Sequence, residues 1–153
     1  MMTDSMVATT LKVGHVGINV RDLARSLAFY QDVFGLQMVG EGTEPDRRFA
    51  FLGDGQGVTV TLWQQSDSAF APRSAGLHHL AFQVANVEAI QAVYEKLKAK
   101  NVRFLHDGIV GHAEGAASGG IYFEDPDGVR LEIYAPTGLS EYAPAEGVSC
   151  GFF

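Results

Sequence analysis

Three side chains in this sequence carry the donor set of a divalent metal site: His15, His79 and Glu132. Two imidazoles and one carboxylate can cap one face of such an ion and leave its other positions open. Open positions accept a substrate's oxygens, and the ion then acts on them as a Lewis acid. A lone histidine is more often a satisfied polar residue than a ligand, so the donor types alone decide nothing. What raises His15 and His79 above that reading is their equivalence within an internal repeat, with a carboxylate on the same face.

The repeat is visible in two alignments. His15-Val-Gly-Ile-Asn-Val20 matches His79-Leu-Ala-Phe-Gln-Val84, and the match continues from Asp22 to Asn86 and from Tyr30 to Tyr94. Further on, Phe51 to Trp63 matches Tyr122 to Tyr134, pairing Asp54 with Asp125, Leu62 with Ile133 and Trp63 with Tyr134. The Gly-rich stretch Gly111 to Gly120 lengthens the second half. Each half reads as a short alternating strand, an amphipathic helix, then two or three short strands. The first helix opens at the N-cap Asp22 and stops at Gly35; the second opens at Asn86 and ends near Asn101. The fold class is α+β, as two βαβ-type modules in one chain. Residues 1–10 and 137–153 read as tails around a domain at 11–136, with modules at about 11–65 and 77–136 and a linker from Gln65 to Gly76.

Parity sets which way the strands face. Apolar residues such as Val16, Ile18, Leu131 and Ile133 belong under the helices. The opposite face then carries His15, Asn19, Thr59, Thr61 and Trp63 from the first half. From the second half it carries His79, Gln83, Arg130, Glu132 and Tyr134. Such a face is too polar for a second dry core, so it lines a wet cavity suited to a ligand. Asn19, Thr61, Trp63, Gln83, Arg130 and Tyr134 are its candidate substrate contacts. Thr61, the counterpart of Glu132, is a poor transition-metal ligand, which leaves three protein ligands. His78 reads as structural and His106 as surface. Asp125 and Asp127 read as turn residues, and Cys150 as a bystander thiol.

Composition narrows the classes. The chain has 153 residues, 46% hydrophobic and 19% charged, which is one folded domain and not a disordered chain. No apolar run of about 18 residues is present, so no membrane span is expected. The start, MMTDSMVATT, lacks the pattern of a secretory leader, and the expectation is a cytoplasmic protein. One cysteine excludes an intrachain disulfide and a cysteine metal cluster. A net charge of −7 argues against nucleic acid or an anionic membrane as partner.

The repeat resembles the vicinal oxygen chelate superfamily, which groups glyoxalase I, extradiol ring-cleaving dioxygenases, fosfomycin-modifying enzymes, methylmalonyl-CoA epimerase and bleomycin-binding proteins. The resemblance lies in His15-Val-Gly-Ile-Asn-Val, in DLARSLAFYQDVFG from Asp22, in Leu77-His-His-Leu-Ala-Phe82, and in YFEDPDGVRLE from Tyr122 to Glu132. It implies two βαβββ modules whose sheets curl into a cup around a metal, with the helices outside. It places the family's ligands on His15, His79 and Glu132. It also implies homodimers, some of which build each cup from modules of two chains, so the resemblance leaves open whether His15 and His79 of one chain share a metal.

Within the superfamily, glyoxalase I-like enzymes have a glutamate where this chain has Thr61. Fosfomycin enzymes typically have a threonine where this chain has Gly17, and several cationic groups where Arg130 is the only one here. Extradiol dioxygenases share the His-His-Glu set for Fe(II), the His78-His79 doublet and a tyrosine ten residues before the glutamate. Tyr122 meets that spacing, and His112 lies near a further active-site histidine of that group; these two are the catalytic candidates. Departures are the missing histidine base, with Gln64 or Ser66 in its place, and a chain about half the usual length. The resemblance therefore implies a metalloenzyme binding two neighbouring oxygens of a small substrate, extradiol-like ahead of isomerase or lyase. It implies Fe(II) ahead of Mn(II), Ni(II) or Zn(II). The alternative is a metal-free protein that sequesters a flat drug-like ligand, for which Trp63 and Tyr134 could stack.

Overall fold

A computed structural model describes residues 10–146. Cys150, Phe152, Phe153 and nearly all of the N-terminal tail lie outside the described residues. The first half runs β1 (Val16–Asn19), α1 (Leu23–Phe34), β2 (Gln37–Glu44), β3 (Arg47–Gly53) and β4 (Val58–Trp63). The second runs β5 (Leu80–Gln83), α2 (Val87–Ala99), β6 (Val110–Gly111), β7 (Gly119–Glu124) and β8 (Arg130–Ala135). The α+β class and the two βαβββ modules are as expected. Each module forms its own four-stranded mixed sheet, in the orders β1-β4-β3-β2 and β5-β8-β7-β6. The first strand of each module runs parallel to the last. A parallel pair needs a long crossover, and the helix with its following strands supplies it.

The helices form where capping chemistry and an apolar stripe coincide. The Asp22 carboxylate accepts the Arg25 N–H at 3.0 Å, and Asn86 Oδ1 accepts the Ala89 N–H at 2.9 Å. Gly35 closes α1 at φ 67°, a left-handed conformation that favours glycine. Leu23, Tyr30 and Val33 of α1 and Ile90 and Leu97 of α2 are buried against Ile18, Val60, Leu62, Leu131 and Ile133 in one continuous core. Removal of that apolar surface from water is the main driving force. The core crosses between modules: the Phe34 ring of α1 lies 4.4 Å from Phe82 and 6.3 Å from Phe123.

A polar clasp joins the modules beside that seam. The Asp127 carboxylate accepts from Arg21 Nε at 2.7 Å, Arg25 Nη2 at 2.8 Å and the Arg21 N–H at 3.2 Å. Next to it, the Tyr30 hydroxyl donates to Asp125 Oδ2 at 2.9 Å. Asp125 also accepts the Asp127 and Val129 N–H groups, as a turn residue does. Both aspartates are thus more than the turn residues of the sequence reading: they are buried, and they hold α1 onto the second module. Burial pushes the Asp125 carboxyl above its ordinary range, and burial with the adjacent Asp125 pushes the Tyr30 hydroxyl well up.

Between Ala135 and Pro144 the chain stays attached, in a stretch that the sequence reading places in a tail. Leu139 is buried, its N–H donates to Ala117 O at 2.9 Å, and the Gly111 N–H donates to Ala143 O at 2.9 Å. No helix among the described residues is long and apolar enough to cross a membrane.

Candidate functional site

The site is built around one buried carboxylate. Glu132 sits mid-strand on β8, paired with Ala81 of β5 on one side and Tyr122 of β7 on the other. Its side chain is 3% exposed. An isolated carboxylate so placed would be costly, so its oxygens need partners. Oε1 accepts from the Tyr122 hydroxyl at 3.0 Å and meets His112 Nε2 at 2.6 Å. Oε2 faces His79 Nε2 at 3.5 Å. That gap is too long for a good hydrogen bond. It is close to the spacing of two ligands of one ion, since bonds of about 2.1 Å at open angles put ligand atoms roughly 3.0–3.4 Å apart.

Further partners fix the histidines. His79 precedes β5, and its Nδ1 lies 2.8 Å from Nδ1 of His78. One of the two must donate, and a proton on His79 Nδ1 leaves Nε2 bare toward Glu132. Burial lowers the His79 pKa, and the neutral form is the one that ligates; Glu132 opposes that shift. His112 follows β6, and its Nδ1 lies 2.8 Å from the Ser118 hydroxyl. Its ring lies 5.7 Å from that of Tyr134.

The structure thus brings together four of the sequence-predicted residues: His79, Glu132, His112 and Tyr122. His15 is apart from them. It is exposed ahead of β1 and lines a separate cavity of about 620 Å³ with Asp54, Thr59 and Ala81. Among the described residues, no group of three His, Cys, Asp or Glu is spaced to hold a metal. One chain therefore presents two of the three proposed ligands in ligating range.

The candidate substrate contacts divide. Tyr134 and Gln83 bond each other, hydroxyl to Oε1, at 2.9 Å. Asn19 Oδ1 accepts the Gln65 N–H at 2.8 Å and so anchors the linker. Thr61 is buried, and its hydroxyl accepts the Trp63 indole N–H at 3.0 Å. Arg130 lines a cavity of about 530 Å³ with Phe70, Leu105 and His106. His106 also stands edge-on to the Tyr122 ring at 5.3 Å, so it belongs to the wall of the site rather than to the open surface.

Sequence reasoning missed Phe49, Phe51 and Ser118. The two phenylalanines join Trp63 in a wall on the first module, with ring centroids 4.9 to 5.9 Å apart. Gly42 stands opposite Phe49 and, lacking a side chain, makes room for its ring. The signal was alternation in β3, where Phe49 and Phe51 pair with Trp63 and Thr61. Ser118 carried no signal beyond its place in the glycine-rich loop.

Residues 12–133 match the sequence model of the Glyoxalase/Bleomycin resistance protein/Dioxygenase superfamily. A catechol-2,3-dioxygenase of Bacillus subtilis is 30% identical over 126 residues, 80% of this chain and 41% of that protein, so this chain spans about two fifths of it. A glyoxylase/bleomycin resistance protein/dioxygenase domain from Frankia sp. EAN1pec superposes with a TM-score of 0.72 at 22% identity, covering 84% of this chain and 99% of that one. The fosfomycin resistance protein FosX of Listeria monocytogenes, solved with Mn(II) and sulfate, superposes with a TM-score of 0.63 at 21% identity, over 87% of this chain and 98% of that one.

Proposed function

This chain belongs to the Glyoxalase/Bleomycin resistance protein/Dioxygenase superfamily, and from that premise we propose a divalent-metal-dependent enzyme of extradiol-dioxygenase type. Its substrate is a small molecule bound through two neighbouring oxygens, with isomerase or lyase chemistry as the next choice. The observation that carries the reading is the unequal dressing of Glu132: Oε1 takes Tyr122 and His112, while Oε2 and His79 Nε2 face each other at 3.5 Å. His79 and Glu132 would hold the ion, with Fe(II) favoured over Mn(II), Ni(II) or Zn(II). Such an ion supplies Lewis acidity to the two substrate oxygens and, as Fe(II), reactivity toward O₂.

The chain's own residues do the rest. Tyr122 and His112 fix the carboxylate by hydrogen bonds. Arg130 and His106, lining the adjoining cavity, orient the substrate from its far side. The third ligand is His15 of a second copy, because His15 stands apart from His79 and Glu132 within one chain. The protein is then a homodimer, with each site shared between chains. A second reading, sequestration of a flat aromatic ligand, draws support from the Phe49–Phe51–Trp63 wall.

Elemental analysis of untagged, anaerobically purified protein tests the proposal. One equivalent of divalent transition metal, absent from Glu132→Ala, is the expected result. Iron then directs the assay to catechols and O₂ uptake. Absence of metal even after reconstitution would leave the sequestration reading. The shared site has its own test: mixing His15→Ala with Glu132→Ala regenerates one intact site per mixed dimer if chains share ligands, and none if they do not.

A further inference from the structure

We propose that Ser118 is the positioning residue that aims His112 at Glu132, and so decides which carboxylate oxygen remains to ligate. The His112 ring is held at both ends: Nε2 lies 2.6 Å from Glu132 Oε1, and Nδ1 lies 2.8 Å from Ser118 Oγ. A carboxylate only accepts, so the proton of a neutral ring sits on Nε2. Nδ1 is then a bare lone pair, and the Ser118 hydroxyl donates to it. The ring takes part in a short contact at each of its two nitrogens, which restrains its rotation about the Cβ–Cγ bond.

Ser118 is itself well anchored. Its carbonyl accepts the His112 N–H at 3.0 Å, closing the loop 113–117 at its base. The neighbouring Ala117 carbonyl accepts the N–H of buried Leu139. Gly119 next in sequence begins β7, in register with Gly111. The hydroxyl is thus carried on a backbone fixed on both sides, while the loop between His112 and Ser118 is exposed at Ala113, Glu114 and Gly115.

The consequence falls on Glu132. With both Tyr122 and His112 on Oε1, that oxygen is occupied and Oε2 alone faces His79. Loss of the His112 bond leaves the Tyr122 hydroxyl as the remaining donor described on Oε1 and loosens the carboxylate. Supporting residues of this kind change metal affinity by about 10–100-fold. This consequence rests on the ligand role proposed for Glu132; the positioning of His112 does not.

The test uses the full-length metal-free protein labelled with ¹⁵N-histidine, at a pH about two units above the ordinary histidine range. Wild type shows a downfield, slowly exchanging Nε2–H proton, assigned by its loss in His112→Gln, with Nδ1 at the shift of an unprotonated nitrogen. In Ser118→Ala the proton signal broadens into water while the amide fingerprint of the fold is kept; Ser118→Thr restores it. A Ser118→Ala signal unchanged in position and exchange overturns the proposal, as does a wild-type ring protonated on Nδ1. The wild-type and threonine spectra decide the matter if the alanine variant fails to fold. Titration with Mn(II) separates the two readings. Affinity lowered 10–100-fold in Ser118→Ala supports both. No Mn(II) binding by wild type, with the NMR result as expected, removes the ligand role of Glu132 and leaves the positioning of His112 supported.

Discussion

The two modules place different chemistry at the same backbone address. In the first, Thr61 stands between Gly17 of β1 and Phe51 of β3. In the second, Glu132 stands between Ala81 of β5 and Tyr122 of β7 in the identical register. Trp63 and Tyr134 repeat the correspondence two residues later. The first address is dressed with rings, and Thr61 is satisfied by the Trp63 indole. The second is dressed with two histidines and a tyrosine hydroxyl around a buried carboxylate. The fold thus supplies a position twice, and side chains alone decide how each copy is dressed. The turns differ in the same way. Asp54 is exposed and satisfied locally by the N–H groups of Gln56 and Gly57, whereas its counterpart Asp125 is buried and ties in the other module.

Converting one address into the other tests this contrast. Glu132→Thr makes the second address a copy of the first, and metal binding is expected to vanish on elemental analysis while the circular dichroism of the fold is retained. A metal content equal to wild type would show that the carboxylate is not a ligand. Tyr122→Phe is the milder conversion, giving the second module its counterpart of Phe51. It removes one hydrogen bond from Oε1, and metal affinity should fall about 10–100-fold in a competitive chelator titration.

The turns give a smaller pair of effects. Asp127→Ala removes the acceptor for Arg21 and Arg25 and should cost about 1–2 kcal/mol in urea unfolding, held down by the partial exposure of both guanidinium groups. Asp54→Ala should cost visibly less, because its partners are its own turn. The smallest effect is a pH dependence. The Asp125 carboxyl is raised by burial, so the folded state binds its proton more readily than the unfolded chain does. Its contribution to stability is complete below the ordinary aspartate range and is lost as pH rises through the raised value. Thermal melts should therefore show Asp125→Asn gaining on wild type as pH increases across that window; parallel curves would refute it.

Much of this was readable from residues. Period-two alternation, Asp22 and Asn86 as caps, and Gly35 as a stop gave both modules. Parity put Glu132 and Tyr134 on one face, and the family resemblance singled out Tyr122 and His112, which do converge on Glu132. What escaped depended on partners far away in sequence. Asp127 meets arginines 102 and 106 residues earlier, and nothing local in DPDG distinguishes a buried clasp from an exposed turn. Asn19 and Gln83 have the right parity for substrate contacts, yet their amide oxygens are engaged by Gln65 and Tyr134. Phe49 and Phe51 resemble core residues in type, and only the register of β3 against β4 turns them outward. His15 shares the repeat position of His79, but a repeat fixes the place of a residue within its module and not the separation between modules.

The parallel pairing of first strand with last has a consequence for synthesis. Among the described residues β5 is bonded to β8 alone, so the strand after His79 lacks that ladder until the residues around Glu132 have left the ribosome. The histidines emerge before the carboxylate. A nascent chain therefore exposes imidazoles in an unformed pocket, and the arrangement of Tyr122, His112 and His79 about Glu132 can close only after β8 has been made.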